Sequence, residues 1–472
     1  MVFPVVGGTQ DTGYDISNSL RFNDNDSAYL SITPSSAGNR RTFTYSAWIK
    51  VCYFSATSRA LLSCGSDSGS NDYIMFQSGD RLRFSFGTES DGDVMTNRLF
   101  RDPSAWYHIV FAVDTTQGTA ANRVKLYING TQASDLTATY PDQNYDTAFN
   151  NTEVQRIGAR AYSATQYYDG YMSDVYLIDG AQKAASDFGE TNDNGVWVPK
   201  KYAGTYGTNG FKLEFKQTGT SANASGIGAD TSGNDNHFTP TNLAALDICT
   251  DSPTNNFATL NSIFHGAGSV VLSEGNCKFV GHNGGSGKVP STIGITSGKW
   301  YAEFKITNTH KIRVGITDDI GIGNDADGVV NDGVDFGWND GYIYTYLNGS
   351  NNDTGAGSSS SGVDVDNPSA NDILGIALDA DNNTVRFYVN NTAQGSEATA
   401  LQRSSTANAI HFFHVYDFSG SGDDEGVVEC NFGNSAFSIS SGNTDANGYG
   451  SFEYEPPSGF YALCSKNLAK YG

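Results

Sequence analysis

Apolar and polar residues alternate along most of this chain, and helical periodicity is almost absent. The alternation over residues 42–50 begins Thr42, Phe43, Thr44, Tyr45, and Arg81–Phe86 shows the same pattern. Residues 124–128 place Val124, Leu126 and Ile128 on one face, just ahead of Asn129-Gly130, a strong hairpin-turn signal. Residues 106–113 are apolar on both faces and read as a central strand. The second half uses the same pattern at 299–306 and 372–378, and residues 383–391 echo 122–130. Period-two segments separated by turn residues predict an all-β protein built of antiparallel sandwiches.

The halves are separated by a polar stretch containing Pro240 and Pro253 that is poor in strand formers. The expected organisation is an arm at 1–18, a sandwich at 19–240, a short linker at 241–262 and a second sandwich at 263–472. The Gly/Ser-rich run at 354–362 lies between strands of the second sandwich and reads as a loop.

At 472 residues the chain has room for two to four domains. Aromatics reach 12%, so both halves have the material for a core although charged residues make up only 17%. The net charge of −23 argues against nucleic-acid binding and against adhesion to anionic lipid. No window approaches the roughly 20 apolar residues of a membrane span, so no membrane insertion is expected. Residues 1–8 lack the basic and apolar regions of a secretory signal, so the chain is expected not to be secreted. The six cysteines, at 52, 64, 249, 277, 430 and 464, show no metal or redox spacing and read as reduced thiols. A Cys52–Cys64 bridge is the main alternative.

The search for catalytic chemistry finds little. His411 and His414 are three apart in an apolar strand and cannot act as a ligand pair. The segment 281–288 imitates a phosphate loop, but its glycine spacing is wrong and Val289 stands where Ser or Thr is needed. Sandwich glycosidases need paired carboxylates. Here Glu303 stands alone in its strand, and Glu453 and Glu455 share a face at a strand end beside Pro456-Pro457. Asp318, Asp319, Asp325, Asp327, Asp332, Asp335 and Asp340 crowd one Gly-rich segment that lacks EF-hand ligand spacing and reads as solvated turns. The chain is expected not to be an enzyme.

Five motifs in order resemble a laminin-G/concanavalin A-like lectin domain: residues 19–22 with 27–30, 43–49, 106–110, 126–130 and 168–175. Residues 297–303, 371–379 and 383–388 resemble a SPRY domain, with Asn391 in place of the usual glycine. The two modules in series, with 251–261 between them and 456–464 at the end, resemble tail-fibre-like structural proteins of marine bacteriophages.

That resemblance implies a virion surface protein, made in the host cytoplasm. Its function would be that of a tail-fibre or appendage adhesin binding host-surface polysaccharide or protein. A capsid decoration or head-fibre spacer is the alternative. Its partners would include other virion proteins and further copies of itself, with a trimer favoured. In the resembled fold the first and last strands are neighbours, which would bring Asn23, Asp24 and Asp26 near Asp169. Calcium is therefore the candidate cofactor. Aromatic loops are the candidate sugar platforms: Tyr162, Tyr167 and Tyr168 in the first half, Trp338 and Tyr342 in the second. The SPRY-like domain is expected to be distal and to carry the main recognition surface around Trp338, with the first domain attaching and spacing it.

Overall fold

The computed structural model describes residues 14–54, 57–67, 69–264, 270–281, 287–308, 311–318, 333–337, 342–347, 350–351, 368–400, 410–417 and 425–472. It is all-β, with a seven-residue helix at Ser465–Tyr471. Among the described residues no helix is long and apolar enough to cross a membrane.

Two compact units meet between Asn255 and Asn256. In the first, one sheet centres on Trp106–Asp114, Thr42–Val51 and Gly170–Asp179, all antiparallel. The other runs through Gly92–Thr96, Arg81–Phe86, Asn71–Gln77, Arg59–Gly65, Gln155–Ile157 and Tyr29–Ile32. Alternate residues from both sheets, such as Tyr45, Ile49, Phe84, Phe111 and Leu126, seal one core, as the period-two pattern requires. At the expected hairpin, Asn129 and Gly130 both have positive φ (47° and 80°), the geometry that Asn-Gly supplies.

The second unit repeats the plan. One sheet centres on Lys299–Asn308, Ile373–Asp379 and Thr384–Val389, the other on Phe412–Asp417, Ile312–Thr317 and Gly333–Gly337. Trp300, Phe304, Ile376, Phe387 and Phe413 lie in the core between them. At the echoing hairpin, Asn390 and Asn391 take positive φ (46° and 65°), so Asn fills the position usually given to glycine.

Several sequence expectations change here. The stretch 241–262 is not a free linker. Ile248–Cys249 pairs with Ser19–Phe22 in the first unit, while Phe257 bridges to Cys464 and Leu260 to Ser291 in the second. The expected arm is docked where it is described: Tyr14 Oη donates to Asp174 Oδ2 at 2.6 Å. Asp335, counted among solvated turn residues, sits fully buried in the strand Gly333–Gly337. There His414 Nε2 lies 3.1 Å from its Oδ1, in a close polar contact rather than an aligned hydrogen bond. Gly315, between them in register, makes room; a Cβ there would stand 2.1 Å from Val334 O. All six cysteines are buried and unbridged.

Candidate functional site

The corner expected from the strand order forms in the first unit. Phe22 pairs with Gly170 across the antiparallel ladder, so the turn after Phe22 lies beside the loop before Gly170. Gly170 has φ +142°, and a Cβ there would meet Lys50 O at 2.2 Å. Gly170→Ala is expected to destabilise the first unit by more than about 1 kcal/mol, read by urea unfolding. An unchanged midpoint would mean that this corner is not held as described.

Between the two loops and the entry to the strand Arg59–Gly65 opens a cleft of about 440 Å³, lined by Asp24, Thr57, Ser58, Gln166 and Tyr167. This is the size of a small-ligand site. The backbone builds its walls. Asn23 caps the short 3-10 turn Asp24–Asp26, accepting from Asn25 N–H at 3.3 Å. Gln166 takes φ 55°, and its carbonyl accepts from Ala60 N–H at 2.8 Å. The Tyr167 ring stacks on Tyr29 at 6.4 Å between centroids. Its hydroxyl donates back to Ala164 O.

The sugar-platform residues separate. Tyr167 lines the cleft, and Tyr162 is exposed on the same loop, its ring 4.8 Å from the Arg160 guanidinium. Tyr168 is corrected: it is fully buried, packs edge-on against Phe22 and donates its hydroxyl to Lys50 O at 2.9 Å. The two neighbouring tyrosines of this loop thus face different surroundings. Trp338 lies outside the described residues. Tyr342 begins the strand Tyr342–Leu347, opposite Gly337, with its side chain outside the description.

The calcium residues reach one corner but do not form an oxygen cage. Asn23 is buried, and its Nδ2 donates to Asp26 Oδ2 at 3.0 Å, which uses both residues within their own turn. Asp24 instead interacts with buried Asp169. Burial pushes the Asp24 carboxyl above its ordinary range, against the Asn25 N–H and the Arg59 charge that pull it down. Calcium takes six to eight oxygens. Among the described residues no three His, Cys, Asp or Glu stand together as metal ligands.

The isolated acid of the second unit is also accounted for. Glu303 is buried and accepts from Glu453 N–H (2.9 Å), Tyr454 N–H (2.8 Å), Asn431 Nδ2 (3.1 Å) and Tyr301 Oη (3.3 Å). It anchors the returning C-terminal segment. Glu453 is engaged by Ser440 N–H at 2.7 Å and Glu455 lies exposed, so the two do not act as a pair.

Sequence reasoning missed Thr57, Ser58 and Gln166, which come from segments with no motif. It also missed Tyr29, which stacks on Tyr167 from an ordinary alternating strand.

The family described as the concanavalin A-like lectin/glucanases superfamily matches residues 23–186. Those residues are similar to a laminin-G-type, concanavalin A-like lectin domain. Solved structures give remote likenesses. The SPRY domain of human HERC1 is 18% identical, with 36% of this chain and 96% of that chain covered and a TM-score of 0.27. A putative carbohydrate-binding protein from Bacteroides ovatus is 15% identical, with 48% and 59% covered and a TM-score of 0.33. Domains LG4–5 of the mouse laminin α1 chain are 10% identical, with 87% and 84% covered and a TM-score of 0.29. No curated protein matches the chain.

Proposed function

We propose that this protein is a non-enzymatic adhesin that binds host-surface glycan in the cleft of its first sandwich. We also propose that it works on a bacteriophage virion, as a tail-fibre-like protein made in the host cytoplasm. The observation that carries the glycan reading is the stacked Tyr29–Tyr167 pair beside a cleft whose other walls are a carboxyl, an amide and two hydroxyls. A ring face suits the apolar face of a pyranose, and the polar groups suit its hydroxyls. The similarity of residues 23–186 to a lectin domain supports the same reading.

The non-enzymatic part is supported by the cleft lining. Glycoside hydrolysis needs two carboxyl groups facing across the scissile bond. Of the three acids at this corner, Asp24 lines the cleft, Asp26 is bonded to Asn23 within its own turn, and Asp169 is buried. The virion setting rests on the series of two sandwiches and on a net charge of −23, which suits a protein displayed in many copies. Repetition in a homo-oligomer, a trimer by preference, would raise the avidity of a weak sugar site. Antibody imaging of the virion separates a tail fibre from the capsid decoration that is the alternative.

The test is a glycan array with the full chain and with Tyr167→Ala. The variant is expected to bind at least about tenfold more weakly, about 1.4 kcal/mol, with unchanged circular dichroism. Undiminished binding by the folded variant would remove this cleft from the mechanism.

A further inference from the structure

The second unit has a cleft of its own, larger than that of the first. It measures about 650 Å³ and is walled by the hairpin residue Asn391, the turn at Thr444 and Asp445, and the segment 455–460. That volume lies within the range of small-ligand sites. The walls are fixed from behind. Tyr454 Oη lies 3.5 Å from Asn390 Oδ1, where the C-terminal segment meets the hairpin. Asp445 Oδ1 accepts from Asn447 N–H (2.9 Å) and Tyr449 N–H (3.0 Å), and its Oδ2 accepts from Ala462 N–H (3.0 Å) and Asn467 Nδ2 (2.7 Å). Phe460 N–H donates to Pro457 O at 2.9 Å and closes the turn that carries the ring.

The polar groups around this cleft divide in two. Asp445 is buried and uses both oxygens on its four donors, so it builds the wall. Asn391, Thr444, Glu455 and Ser458 line the cleft and are exposed. Among the described residues their side chains have no hydrogen-bond or ion-pair partner. They present an amide, a carboxylate and two hydroxyls to whatever enters. Phe460, half-buried, adds an aromatic ring, and Pro456 and Pro457 add apolar surface. No basic residue lines the cleft. Lys299 Nζ lies 5.7 Å from the Phe460 ring centroid, but Asp379 holds it at 2.8 Å.

This lining selects among ligands. An anion would meet Glu455 with no cation to offset it. A cation would use Glu455 and leave the amide and the hydroxyls without a role. A carboxylate can accept from two adjacent hydroxyls, an amide both donates and accepts, and a ring covers the apolar face of a pyranose. We propose that the second unit carries a separate saccharide site in this cleft, which takes an uncharged, hydroxyl-rich sugar. Glu455 and Asn391 bond its hydroxyls, and Phe460 lies against its apolar face. The site shares no residue with the cleft of the first unit, so it goes beyond the function proposed above and does not depend on it.

The experiment titrates the full chain by calorimetry with neutral cello-, laminari-, manno- and galacto-oligosaccharides. Alginate (anionic) and chitosan (cationic) oligosaccharides serve as charged comparators. The Tyr167→Ala chain isolates the second site. In it, at least one neutral oligosaccharide is expected to bind about tenfold tighter than either comparator, and adding Glu455→Ala or Asn391→Gly should weaken that binding about tenfold. Both substitutions spare the fold: Glu455 is exposed, and glycine accepts the φ of 65° at Asn391. Phe460 is left in place because it packs on Phe257 and Phe452 at the core. Failure to prefer a neutral oligosaccharide over both comparators overturns the inference, as does binding that survives both substitutions. Loss of all binding on Tyr167→Ala alone also overturns it and leaves the first-unit reading standing. Binding untouched by Tyr167→Ala but lost with Glu455→Ala does the reverse.

Discussion

Lys50→Met is expected to destabilise the first unit by about 3–5 kcal/mol. Lys50 sits in the strand Thr42–Val51 with its side chain fully buried, and its Nζ lies 2.7 Å from Asp251 Oδ2, which is equally buried. Trp106 Nε1 donates to the other carboxylate oxygen at 3.1 Å, and Ser19 Oγ donates to the Asp251 carbonyl at 2.6 Å. Removing the lysine leaves the Asp251 charge out of water without its cation, and that desolvation is the main cost. Replacing both partners, Lys50→Met with Asp251→Leu, removes the stranded charge as well and is expected to recover much of the loss. Urea unfolding followed through the transition of the first unit reads both effects. A loss below about 1 kcal/mol for the single variant would mean that the pair is open to water.

That pair also marks where sequence reading stops. Asp251 lies in a polar, proline-punctuated stretch that reads as linker, and its partner is 201 positions away. Local composition carries no sign of such a contact. Asp335 shows the same limit: it belongs by composition to an acidic, Gly-rich segment, but Gly315 opens space for it against His414 in the middle of a sheet. The strands themselves were legible, because a half-buried sheet imposes period two on the sequence. The corner where Phe22 meets Gly170 followed from the resembled fold, in which the first and last strands are neighbours.

Within that corner, residue type was a poor guide. Tyr167 and Tyr168 look alike in the sequence, yet one lines the cleft and the other fills the core. Tyr29 gave no motif, and its stacking on Tyr167 joins segments more than a hundred residues apart. The Asn23–Asp26 and Asp24–Asp169 interactions were equally hidden: the sequence brings four oxygen-bearing residues to one place but does not say which of them are already used by each other.

Glu303 carries a pH signature that Glu303→Gln should erase. Burial pushes its carboxyl up to about 7 from an ordinary 4.5, against the four donors that pull it down. Below pH 4.5 the group is protonated in both the folded and the unfolded chain and makes no difference. Between 4.5 and about 7 the unfolded chain has released its proton while the folded one keeps it. The folded state then binds more protons, so stability falls as pH rises across this window. Above about 7 both forms are ionised and the loss is complete. At about 1.4 kcal/mol per pH unit, the whole fall amounts to about 3 kcal/mol. Asp72, raised to about 7 by burial, pulls the same way in the first unit, and His108, lowered to about 3 by burial, opposes it below 6.5. The wild-type profile alone therefore mixes several groups. The difference between wild type and Glu303→Gln cancels the others, because both proteins share them. Gln keeps the shape but presents an amide to two backbone N–H groups, so the variant carries a constant cost of its own. The measurement is the slope: unfolding free energies of the second unit from pH 4 to pH 8 should show wild type losing about 3 kcal/mol relative to the variant as pH rises. A difference that stays flat across that range would mean that Glu303 titrates in the folded protein as it does in the unfolded chain.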